Sequence, residues 1–263
     1  MKRKFLLLLL LFCYRPVTAQ LDTLDFFQKV NSLYYTVESS GLQNFSMWVT
    51  SDYYKENIDT SGSFNLYPWE IIWVNPDKIF FIKRPLSITN DSTRIQEVQK
   101  LQLDMQQELR GIMIDWQRFY GGALLADLPA HYNLIALQDT IFIHYETVEL
   151  GKKMEIFQYF GKNGLCFKLR FKYVDSGQEI YIYPEFSYLG NKWLCSGWEV
   201  QMLENNEVSS GFIVRIISAK INTIWLPKKI IMQVQTKAAQ SMIFNREYSI
   251  VNIMINRSLK VVD

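Results

Sequence analysis

From residue 140 onward the chain alternates, and that alternation most narrows what it can fold into. In "FKLRFKY", Phe167, Leu169, Phe171 and Tyr173 fall on one phase and Lys168, Arg170 and Lys172 on the other. Successive side chains of an extended strand point to opposite faces, so the spacing predicts a strand with one apolar and one wet face. The segments "DTIFIHYETVE", "KMEIFQYFG", "LCFKLRFKYVD", "EIYIYPEF", "WLCSGWEVQML", "GFIVRIISAKI", "KKIIMQVQT" and "REYSIVNIMIN" continue the series, broken by Gly, Asn, Asp or Pro. Strands wet on one side build antiparallel sheets. An aromatic content of 15% favours strands as well.

The first half adds helices. Leu24, Phe27, Val30, Leu33, Tyr34 and Val37 recur at helical spacing, with Asp22 or Thr23 as cap and Gly41 as stop. From Phe45 the period drops to two, and Phe45, Met47, Val49, Ser51 and Tyr53 share a phase. "EIIWVNPDKIFFIKRP" reads as strand, Asn75-Pro76-Asp77 turn, strand and stop. The longest helix is expected over 93–120. Its stripe is Ile95, Val98, Leu101, Met105, Leu109, Ile112 and Trp116, and Gly121-Gly122 end it.

Nine or ten strands in meander order and two amphipathic helices predict an α+β fold. The helices must bury their stripes against the sheet's apolar face. The expected form is a strongly curved antiparallel sheet, an incomplete β-barrel, with helices covering its concave face. No linker or low-complexity tract divides the chain, so residues 20–263 read as one half-barrel domain.

"MKRKFLLLLLLFCYRPVTAQ" has a positive start, a short apolar core and small residues before Gln20. That layout is expected of a secretory signal peptide over 1–19, cleaved on export. The apolar run is too short to span a bilayer, which takes about 20 residues. Cys13 follows Phe12, a poor setting for lipidation. The chain holds 28 Lys+Arg and 26 Asp+Glu, and Lys2, Arg3, Lys4 and Arg15 would leave with the signal. The remaining 24 basic and 26 acidic residues give −2, which speaks against a nucleic-acid binder. No transmembrane segment is expected in the exported part, and the expected location is the bacterial periplasm or outside the cell. There, Cys166 and Cys195 are either a cross-strand disulfide or two buried thiols.

The order of parts resembles the bacterial lipoprotein-carrier superfamily, the LolA/LolB-like fold. The likeness lies in "LQNFSMWV", where an apolar-faced helix leads into a strand, and in the "EIIWVNPDKIFFI" hairpin. It continues in "INTIWLPKKIIMQV", a strand, Leu-Pro-x-Lys, strand passage, and in the closing "FNREYSIVNIMIN". These cover about half of the expected mature chain. Where the carriers place an arginine before the Pro of the first hairpin, this chain has Asn75, and Arg84-Pro85 comes one strand later. The resemblance implies a half-barrel that carries acyl chains or lipidated proteins.

Chemistry is sparse. Among the motifs sought, no G-x-S-x-G, P-loop, G-x-G-x-x-G or H-E-x-x-H occurs. His131 and His144 are the only histidines, and His144 with Glu146 two residues on is the one candidate for metal or proton chemistry. The simpler reading is a solvent-face ion pair. Neither a metal nor a cofactor is expected, and the chain reads as non-enzymatic.

What remains is apolar surface. The expected ligand-lining set is Phe167, Leu169 and Phe171 on one strand, then Trp198, Val200 and Met202 on the next but one. Phe212, Val214 and Ile216, then Ile230, Met232 and Val234, continue it. Two readings stay open. One is an exported carrier holding an acyl chain or lipidated partner in a cavity between sheet and helices. The other is an envelope interaction module of the same fold with a filled core, a protein partner and no lipid.

Overall fold

The computed structural model describes residues 23–58, 64–85, 92–122, 124–125, 128–149, 151–205, 207–236 and 244–258. The expected signal peptide and Cys13 lie outside them.

A first helix, α1 (Thr23–Leu33), precedes a 3-10 turn at Glu38–Ser40 and strand β1 (Asn44–Ser51). Then come α2 (Asp52–Asn57), β2 (Trp69–Val74), β3 (Lys78–Lys83) and the long α3 (Ser92–Trp116), which ends in a π-helical turn, Gln117–Gly121. The rest is strand: β4 (Asn133–Ala136), β5 (Thr140–Glu149), β6 (Lys152–Gly161), β7 (Cys166–Tyr173) and β8 (Glu179–Leu189). β9 (Lys192–Glu204), β10 (Glu207–Ile221), β11 (Ile224–Thr236) and β12 (Phe244–Ile255) complete it.

All twelve strands form one antiparallel sheet in the order β3-β2-β1-β12-β11-β10-β9-β8-β7-β6-β5-β4. β4 to β12 are consecutive, so that part is a meander. β1 closes against β12, which brings the two ends of the strand series side by side. β3 and β4 remain edges, and the sheet is not closed into a barrel. Asn205 and Asn222 take positive φ in the β9–β10 and β10–β11 hairpins, a conformation asparagine tolerates better than most residues.

The period of two is visible as burial. In β6, Met154, Ile156, Gln158 and Phe160 are buried, while the residues between them are half-exposed. α3 lies on the buried face. Val98, Met105, Leu109, Ile112 and Trp116 of the expected stripe are buried, Met113 is buried beside them, and Ile95 and Leu101 are half-buried. The Trp69 indole donates to the Gln102 carbonyl at 3.0 Å, and the Trp73 indole donates to Gln117 Oε1. Phe45 stacks on Trp73 and meets Trp116 edge-on, each at 5.7 Å between centroids. Arg246 on β12 donates to Glu108 of the helix at 2.9 Å. The helix is therefore tied to the β2-β1-β12 side of the sheet.

Two local expectations need correction. α1 buries Phe26 and Val30, whereas Leu24 is 65% exposed. Phe26 meets Phe160 edge-on at 5.7 Å, and that contact sets the helix's rotation. The helix also stops at Leu33, because Tyr34 pairs with Trp193 as a parallel bridge. Gly41, at φ 77°, caps the 3-10 turn instead. At the other end of β1, Tyr53 belongs to α2 and not to a strand. Ser51 Oγ accepts from the Tyr54 amide and starts that helix.

Candidate functional site

The C-terminal end of α3 does not fill the sheet opposite β5–β7. A cavity of about 410 Å³ remains there. Its apolar lining comes from Ile156, Leu169 and Phe171 of the sheet, with Leu124, Leu128 and Ile114 from the helix side. Its polar lining is Glu38, Asp77, Gln117, Arg118, Tyr145 and Gln158. A second cavity of about 190 Å³ opens alongside, with Met154, Phe171, Ile180, Ile182, Val200, Met202 and Phe212 as its apolar walls. Arg118 and Phe171 line both.

Charge and ring contact hold the two shared residues in place. Arg118 Nη1 donates to Asp115 Oδ1 at 2.9 Å, one helical turn away. The guanidinium lies 4.7 Å from the centre of the Phe171 ring, close enough for a cation–π attraction. Asp115 is buried, and burial raises its carboxyl pKa while Arg118 acts against that shift.

Among the lining residues of the larger cavity, Gln158 is 7% exposed. Its Nε2 donates to the Tyr145 hydroxyl at 3.3 Å, and its Oε1 is buried without a hydrogen-bond partner. Gln117 has both ends of its amide engaged, accepting from Trp73 and donating to the Pro76 carbonyl at 2.7 Å.

The residues expected to line a ligand site divide. Leu169 and Phe171 border the larger cavity, and Phe171, Val200, Met202 and Phe212 border the smaller. Trp198, Val214, Ile216, Ile230 and Met232 are buried, and Val234 is half-buried, but none of the six borders either cavity. They belong to the packed core; Trp198, for one, lies against Phe119 at 6.0 Å.

Phe167 is a correction. It is 44% exposed, and its ring sits 6.3 Å from Tyr159 on the opposite face. A β-bulge is the cause. Cys166 pairs with Phe160 and Lys168 with Tyr159, so Phe167 is the extra residue and leaves the alternating phase.

Comparison with protein-family models, with curated proteins and with solved structures gives no match.

The other candidates resolve locally. His144 stacks on Phe157 at 4.3 Å, and Glu146 pairs with Lys153 at 3.2 Å. The expected His144–Glu146 ion pair is therefore replaced by a ring stack and a cross-strand bridge. Among the described residues no group of three or more His, Cys, Asp or Glu side chains could hold a metal ion. Cys166 and Cys195 are both free, buried thiols. They sit on β7 and β9 with β8 between them, and Tyr34 reaches into the same region, accepting from the Cys166 amide at 2.6 Å. Two strand spacings are about 9.6 Å, beyond disulfide reach. Arg84 lies over the Trp48 ring at 3.5 Å and donates to the Tyr67 carbonyl at 3.1 Å, at the β3 end of the sheet.

Sequence reading missed Arg118, Tyr145 and Gln158. One signal was present. In "KMEIFQYFG", Gln158 falls on the apolar phase of Met154, Ile156 and Phe160. An amide in that register is either bonded inside the core or placed to meet something.

Proposed function

We propose that the protein is an exported, non-enzymatic carrier that holds the apolar chain of a lipid or of a lipidated partner. The observation that supports the reading is the pair of cavities between the end of α3 and the sheet, whose walls combine apolar side chains with a few polar ones. The volume of the larger falls within the range of about 300–1,000 Å³ typical of small-molecule sites. Burying about eight methylenes there contributes about 6 kcal/mol, at ~0.8 kcal/mol each. Such a site needs no catalytic group.

Reading the open sheet as a strongly curved half-barrel, with α3 across its concave side, supplies the trough that the lipoprotein carriers use. In that reading the expected export signal places the protein in the periplasm or outside the cell. Among the described residues no helix is long and apolar enough to cross a membrane.

The test is native mass spectrometry of protein purified untouched and after delipidation. The expected result is an added mass that delipidation removes and that added fatty acyl compounds restore. Identical masses, with no displacement of a hydrophobic dye by such compounds, would sink the proposal.

One observation favours the second reading, an envelope interaction module. Over β1, β2 and β12 the helix leaves a filled core of Phe45, Trp73, Trp116 and Tyr248. That reading predicts a saturable protein partner and no lipid.

A further inference from the structure

The π-helical turn that ends α3, Gln117–Gly121, sets one side chain at the edge of the larger cavity. Such turns are rare and gather at functional sites. Gln117 lies over Gly121, where a Cβ would collide with Cδ, Oε1 and Nε2 of the amide. The missing side chain therefore gives the amide its place. From there Oε1 accepts from the Trp73 indole and Nε2 donates to the Pro76 carbonyl at 2.7 Å. Pro76 and Asp77, at the tip of the β2–β3 hairpin, border the same cavity as Gln117 and Gly122. The bond to Pro76 thus ties two walls of the cavity together.

The two arms of the amide are unequal. Trp73 is fully buried, and its indole would lose its acceptor inside the core. A buried donor left without a partner carries the full desolvation cost. The bond to Pro76 is exposed, so water can replace it on both sides. The arm that opens at low cost is the one to the hairpin. The anchors decide which wall then moves. α3 is held by Trp69 on the Gln102 carbonyl and by Glu108 on Arg246 and Tyr248. The hairpin ends in β3, an edge strand with one neighbour, and Pro76, Asp77 and Lys78 are exposed. Segments with few buried contacts open locally before the core does.

We propose that Gln117 is a latch that holds the tip of the β2–β3 hairpin against the end of α3, and that a bound molecule enters and leaves the larger cavity when the tip is released. This deepens the carrier reading and rests on it.

The experiment compares the whole protein with two variants, Gln117→Glu and Gly121→Ala. Glutamate keeps an acceptor for Trp73 and cannot donate to Pro76. Alanine leaves Gln117 in the chain and pushes its amide off the glycine. Two quantities are read. One is the pair of stopped-flow rates for association and dissociation of N-phenyl-1-naphthylamine. The other is backbone hydrogen exchange over residues 73–79, where the Asn75 amide donates to the Gln43 carbonyl. Both variants are expected to speed association and dissociation together by about tenfold, the scale of one hydrogen bond, with Kd within about twofold of the parent. Exchange over 73–79 should quicken in both. Parent rates and parent exchange in both variants overturn the proposal. So does faster dissociation alone, which makes Gln117 a contact of the bound molecule and not a latch. A parent that binds no probe defeats the carrier reading; hydrogen exchange then judges the latch by itself, and unchanged exchange over 73–79 overturns it.

Discussion

The Arg118 guanidinium sits over the face of Phe171, and both side chains border each of the two cavities. Removing the side chain should join them. Arg118→Ala is expected to take up more of a neutral probe such as N-phenyl-1-naphthylamine than the parent, read as fluorescence at saturation. Equal uptake would mean that Phe171 alone closes the wall.

The same substitution has a pH signature. Asp115 already has a raised pKa from burial, and Arg118 counters it. Without Arg118 the folded-state pKa rises further above the unfolded value. The folded state then binds the proton more readily, so its stability is retained below the unfolded pKa and lost as pH rises through the folded one. Arg118→Ala should therefore be most destabilised near neutrality, with the gap to the parent shrinking as the solution is acidified towards pH 4. Urea denaturation across pH checks the sign.

Glu108 clamps the long helix to β12. It accepts from Arg246 at 2.9 Å and from the Tyr248 hydroxyl, and Arg246 is 6% exposed. Removing the carboxylate takes a partner from Arg246 and the acceptor from the Tyr248 hydroxyl, so Glu108→Ala should cost about 1–3 kcal/mol in denaturation. Glu108→Gln, which keeps an acceptor, should cost less. Burial, with Glu108 next, pushes the Tyr248 hydroxyl pKa up, so that phenol should stay un-ionised through alkaline titration of the folded protein.

Cys166 and Cys195 should both titrate as free thiols, and reduction should leave the mass unchanged. Burial pushes each thiol up to about 12. Neither is then expected to react with a disulfide reagent at pH 8 until denaturant is added. Rapid labelling in the native state would contradict the buried placement.

Gly197 lies where β9 bulges against β8, and it pairs with Arg215 of β10. A Cβ there would stand 2.3 Å from the Val214 carbonyl oxygen, which is backbone and cannot swing aside. Gly197→Ala should cost about 1–3 kcal/mol, measured as a lower denaturation midpoint with unchanged slope.

The alternation in "FKLRFKY" and its neighbours announced antiparallel strands in meander order, and the stripe from Val98 to Trp116 announced the face of α3 that is buried. Those readings need only local periodicity. The placement of Phe167 was not legible, because a bulge is a one-residue slip in pairing and pairing is a property of two strands. The rotation of α1 was not legible either, since Leu24 and Phe26 are equally apolar and only Phe160, far along the chain, distinguishes them.

The residues by themselves determined which segments extend, which coil and which faces avoid water, because each of these follows from spacing along one stretch of chain. Which parts of the apolar face α3 covers, and which it leaves as a cavity bordered by Glu38, Asp77, Arg118 and Gln158, was decided only when four separate elements met. A void is set by the fit between surfaces distant in the chain, and no local pattern encodes that fit.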